Sequence, residues 1–138
     1  GTVGPFADWD EARVYLKSAS AEIFPDWQGA QWADFAHQCY VERDGQVIVD
    51  YDPRIAEPLA AENNDTEADA LWSLFAAMSA VQSLLIRGEL TDLLTESCVA
   101  KMCEGHPDMA VLSVPRVGHA PMLNESGVTE AICEFLTA

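Results

Sequence analysis

Apolar positions recur at helical spacing near the start of the chain. Ala12, Tyr15, Leu16, Ala19 and Ile23 fall on one stripe. Asp8 stands before that stripe as a cap, and Asp10 and Glu11 suit the positive end of a helix dipole. Pro25 stops it, so a helix is expected from Trp9 to about Phe24. A second helix over Gln28 to Gln38 puts Trp32, Phe35 and Ala36 on one face. Tyr40 to Val49 then carries Asp44-Gly45 between two β-prone runs, a hairpin signal. Pro53 to Ala61 reads as a short helix and Asn63-Asn64-Asp65 as a loop. Thr66 and Asp69 have capping-box spacing ahead of a helix through Ala70, Leu71, Leu74, Phe75 and Met78.

The texture changes near residue 80. Ser83 to Arg87 is an apolar strand, followed by Gly88 and a polar loop. Thr95 or Ser97 opens a helix through Val99, Met102 and Cys103 that ends near Gly105. Met109 to Val114 is a second apolar strand, and residues 115–126 form a loop. Gly127 to Leu136 is a last helix with Val128, Ala131, Ile132 and Phe135 facing inward. Strand, helix, strand, helix predicts a parallel pair joined by a right-handed crossover. Continuous apolar strands predict burial on both faces. The expected division is a mostly helical segment, residues 1–80, and an α/β segment, residues 81–138.

Composition narrows the function classes. The 138 residues hold 7 Lys and Arg against 23 Asp and Glu, a net charge of −16. So few scattered cations do not build a basic patch, which argues against nucleic acid and against anionic membrane surfaces. The longest apolar runs fall far short of the roughly 20 residues of a membrane helix. No basic segment followed by an apolar one opens the chain, and a cytoplasmic setting is expected. Cys39, Cys98, Cys103 and Cys133 form no C-x-x-C pair and read as reduced thiols. No metal-ligand spacing and no glycine-rich phosphate loop is present.

Chemistry concentrates after the two strands. Beyond the first comes Gly88-Glu89-Leu90-Thr91-Asp92, and beyond the second Gly118-His119-Ala120-Pro121. Open parallel sheets gather functional groups at the carboxyl ends of their strands. Asp92 and His119 are therefore expected on neighbouring strand ends. An aspartate beside a histidine holds the imidazole in one tautomer and stabilises the imidazolium, two parts of a nucleophile–base–acid triad. Glu89 is the rival acid, with a solvated loop position as its plainer reading.

At these residues the sequence resembles a known family. Leu84-Leu85-Ile86-Arg87-Gly88-Glu89-Leu90-Thr91-Asp92 is similar to the late strand and acid loop of the α/β-hydrolase fold. Val114-Pro115-Arg116-Val117-Gly118-His119-Ala120-Pro121-Met122-Leu123, with the amphipathic helix after it, resembles that fold's histidine loop and last helix. The order acid-then-histidine agrees. The resemblance is tight over 81–138 and looser over 1–80, which resembles the helical cap (lid), with Tyr51-Asp52-Pro53 leading back to the core. It implies an α/β fold: the last two parallel strands with flanking helices, preceded by a cap segment. It also implies that Asp92 is the triad acid and His119 the general base of an esterase-like or C–C bond hydrolase acting on a small organic substrate without a cofactor.

The family's nucleophile elbow, its oxyanion-hole loop and most strands of its sheet are missing. None of the serines stands in G-x-S-x-G, and the chain opens Gly1-Thr2-Val3-Gly4-Pro5 without a Met. The expected partner is thus a nucleophile-bearing N-terminal half, a separate or cleaved chain. Dehalogenases and epoxide hydrolases of the same fold use an upstream Asp nucleophile instead. The contrasting expectation is a non-catalytic fragment or interaction module, stable only when docked, whose strands pair between copies if it stands alone. Trp72, Phe75 and Met122 are candidates for the substrate pocket, each weighed against plain packing. His106 reads as a helix end where a cation suits the dipole, and His37 likewise. Trp9, Trp27, Trp32 and Trp72 read as core anchors.

Overall fold

The computed structural model describes residues 3–52, 54 and 66–138, with the side chains of residues 66–69 left aside. The helix expected over Pro53 to Ala61, the Asn63-Asn64-Asp65 loop and the capping side chains of Thr66 and Asp69 lie outside the described residues. The chain divides into two compact units, Gly1–Asn63 and Asn64–Ala138.

The first unit holds α1 (Trp9–Ser20), α2 (Gly29–Cys39) and the antiparallel pair β1 (Tyr40–Arg43) and β2 (Gln46–Val49). Asp8 caps α1 by accepting from the Glu11 N–H at 2.8 Å, and Glu11 answers by accepting from the Ala7 N–H at 2.7 Å. The helix ends at Ser20, not near Phe24. Phe24 is instead drawn into an aromatic group with Trp27, Trp32 and Phe35, stacking on Trp27 with centroids 3.8 Å apart. Tertiary packing overrides the helical period there.

A capping box at Gln28 and Gln31 starts α2. Asp44 and Gly45 both have positive φ, 53° and 75°, the backbone a type I′ hairpin turn requires. Residues Arg43 and Gln46 face each other across that turn, so the expected hairpin forms. Ala12 and Leu16 from α1, Ala36 from α2, and Tyr40 and Val47 from the hairpin form one core with Phe6. Phe6 joins β2 by two backbone hydrogen bonds to Val47. Burial within this core pushes the Tyr40 hydroxyl up to about 12.

The second unit holds α3 (Thr66–Ala77), β3 (Leu84–Gly88), α4 (Glu96–Gly105), β4 (Ala110–Val114) and α5 (Val128–Thr137). Thr95, not Ser97, caps α4, accepting from the Cys98 N–H at 3.2 Å. β3 and β4 pair in parallel, from Leu84 opposite Ala110 to Gly88 opposite Val114. This α–β–α–β–α order with a parallel pair is the predicted α/β arrangement. Burial departs from expectation. β3 is half-buried to buried, but Val111, the second residue of β4, is 41% exposed. A continuous apolar run therefore did not mean burial on both faces.

His106 falls at a helix end, as its position predicts. It is the C-cap residue of α4 yet only 1% exposed. Its Nε2–H donates to the Val81 carbonyl at 2.9 Å, since a carbonyl only accepts. The ring lies against Phe75. It is a core histidine that ties the end of α4 to the entry of β3. His37 packs on Trp9, with ring centroids 4.0 Å apart.

Candidate active site

The carboxyl ends of β3 and β4 are joined beyond the strands themselves. The Glu89 N–H donates to the Val114 carbonyl at 2.8 Å, continuing the ladder one step past β3. The Leu90 N–H then donates to the Val117 carbonyl at 2.9 Å. The Glu89 carboxylate accepts from the Arg116 N–H at 3.0 Å. The two loops expected to carry chemistry are thus laced together before either reaches its candidate residue.

Gly88 makes this lacing possible. A Cβ at Gly88 would strike the backbone carbonyls of Val117 and Gly118. The histidine loop crosses over the end of β3 at a distance only glycine permits.

A cavity of about 340 Å³ opens at this end of the sheet, lined among others by Gly88, Thr91, Leu94, His119 and Pro121. His119 is exposed at its wall. Thr91 shapes the turn that carries Asp92, its Oγ1 accepting from the N–H groups of Leu93 and Leu94 at 3.3 and 3.4 Å. Arg87, buried at the end of β3, donates from Nε to the Leu94 carbonyl at 3.2 Å and fixes the far side of that turn.

Asp92 follows Thr91 and is exposed, but it does not line the cavity. Among the described residues no hydrogen bond or ion pair joins Asp92 to His119. The structure thus brings His119 to the cavity and Asp92 to the adjoining turn, without contact between them.

The pocket candidates are placed elsewhere. Trp72 and Phe75 line a separate apolar cavity of about 400 Å³ with Leu71 and Met102. The Lys101 ammonium lies 4.2 Å above the Trp72 ring there. Met122 is half-buried, and its N–H donates to the Glu125 carboxylate at 2.8 Å. It lines neither cavity.

Sequence reasoning passed over Arg87, Gly88 and Thr91 as site residues. A charged residue closing an apolar strand, followed by glycine, was the available signal. Glu89 keeps the exposed loop position of its plainer reading, and its carboxylate also holds the other loop. Among the described residues no three His, Cys, Asp or Glu side chains are grouped to hold a metal ion. No helix among them is long and apolar enough to cross a membrane.

Comparison with known proteins agrees with this architecture. No family model matches the chain. An α/β-hydrolase from Novosphingobium aromaticivorans is 35% identical and superposes with a TM-score of 0.85 over 97% of this chain and 47% of that one. E-2-(acetamidomethylene)succinate hydrolase is 23% identical and superposes with a TM-score of 0.69 over 100% of this chain and 48% of that one. The 3-hydroxybutyrate-oligomer hydrolase of Cupriavidus necator is 28% identical over 139 residues, 96% of this chain and 47% of that protein. The chain spans about half the length of the proteins it matches. It has the fold of the C-terminal half of an α/β-hydrolase.

Proposed function

We propose that this chain supplies the acid and the base of an α/β-fold hydrolase that cleaves esters of small organic acids, with the nucleophile carried outside these 138 residues. One observation carries the reading: His119 stands at the wall of a strand-end cavity, one residue beyond a backbone crossing that Gly88 makes possible. His119 takes the proton of the attacking hydroxyl and later activates water. Asp92 orients the ring, which requires the exposed Asp92 turn to close on His119 when the site is complete. General acid–base assistance of this kind contributes about 10²–10⁴-fold. The hydrolases it resembles support the class, and their names supply first substrates: 3-hydroxybutyrate oligomers for an ester, an acetamidomethylene succinate for an amide-like bond.

The test is turnover by the protein that unites this chain with a nucleophile-bearing half, using short-chain p-nitrophenyl esters and 3-hydroxybutyrate dimers. Fluorophosphonate labelling separates a serine nucleophile from the aspartate of dehalogenases and epoxide hydrolases. Turnover that survives loss of both His119 and Asp92 rules the reading out.

A second reading is a non-catalytic module stable only when docked on a partner chain. The exposure of Val111 in β4, of Leu71 and Leu74 on α3 and of Met78 just after it favours it. A monomeric chain that unfolds cooperatively contradicts it.

A further inference from the structure

Backbone and side-chain contacts both fix the approach of the chain to His119. The Glu89 and Leu90 amides hold the Val114 and Val117 carbonyls. The Glu89 carboxylate holds the Arg116 N–H at 3.0 Å, across 27 residues of sequence. Arg116 itself has φ 57°, a left-handed backbone that non-glycine residues seldom adopt, and its N–H meets the carboxylate. A hydrogen bond to an ionised acceptor is the strong kind. His119 follows three residues later.

We propose that Glu89 is a positioning residue for His119: its carboxylate holds Arg116 in the left-handed conformation and so sets the path of the histidine loop over Gly88. The inference rests on the hydrolase reading only for its catalytic consequence. The tether itself is a statement about the loop. Loss of the carboxylate removes the restraint on the Arg116 N–H, and the His119 ring shifts with the loop. A misplacement of about 1 Å in a catalytic group costs roughly 10²-fold in rate.

The experiment compares wild type, Glu89→Gln and Glu89→Ala. The glutamine keeps a side-chain acceptor, and the alanine removes it. Backbone and histidine-ring NMR on the full chain is read alongside turnover of p-nitrophenyl butyrate by the united protein. The expected result is that the Arg116 amide loses exchange protection and the His119 ring peaks shift in Glu89→Ala but stay near wild type in Glu89→Gln. With them, kcat falls 10–100-fold in Glu89→Ala with KM within twofold, and returns to within threefold in Glu89→Gln. An Arg116 amide and a His119 ring unmoved by Glu89→Ala overturn the proposal. So does equal damage by both variants, which marks a general folding role. A silent wild type with the NMR pattern intact sinks the hydrolase reading and supports the tether.

Discussion

The Gly118 carbonyl occupies the space a side chain on Gly88 would need. The last residue of one strand and the residue before the candidate base are therefore fitted to each other through bare backbone. Gly88→Ala forces the Val117–Gly118 segment away from β3. Overpacking of this kind costs about 1–3 kcal/mol. A lowered urea midpoint, with loss of the Leu90–Val117 amide protection, is the expected outcome. An unchanged midpoint and unchanged protection would show that the loop has room to yield.

Helix α4 separates the two paired strands in the chain, and Thr95 caps it with its Oγ1 on the Cys98 N–H. Thr95→Ala is expected to lose about 1 kcal/mol. Thr95→Ser keeps the acceptor and should recover most of that loss. The comparison is made by denaturant unfolding of the two variants.

Trp32 is 2% exposed, and its indole Nε1–H donates to the Trp27 carbonyl at 3.3 Å. Trp32→Ala removes a buried member of the aromatic group that also holds Phe24, Trp27 and Phe35. The expected loss is about 3–5 kcal/mol. Set against the roughly 5–15 kcal/mol typical of whole domains, that removes a large share of this unit's stability. Near-ultraviolet circular dichroism of the variant checks it.

Tyr40 gives the first unit an alkaline limit. Burial holds its hydroxyl up at about 12 when folded, against 10 for the free side chain. Unfolded chains thus lose the proton first as pH rises. The associated stability is intact below pH 10 and disappears on the way to 12. Tyr40→Phe should flatten that arm of the stability–pH profile, and an identical decline in the variant would assign it to another group.

What the sequence made legible was local. Asp8, Thr95 and Asp44-Gly45 announce their caps and their turn because the physics acts within three or four residues. The parallel pair was legible from the alternation of an apolar run, a capped helix and a second apolar run. What failed depended on distant partners. Phe24 leaves its helix for Trp27 and Phe35, and no periodicity encodes that contact. His106, legible only as a helix end, is buried against Val81 and Phe75. Glu89 finds its acceptor role 27 residues away, at Arg116. His119 was placed at the strand-end cavity as its sequence context predicted, while Trp72 and Phe75 gather around another.

The central claim concerns His119, and one measurement reaches it most directly. It is kcat for a short-chain p-nitrophenyl ester in the united protein, wild type against His119→Gln. Loss of the general base should lower kcat by about 10²–10⁴-fold while leaving the folded spectrum intact. Turnover within twofold of wild type would contradict the account.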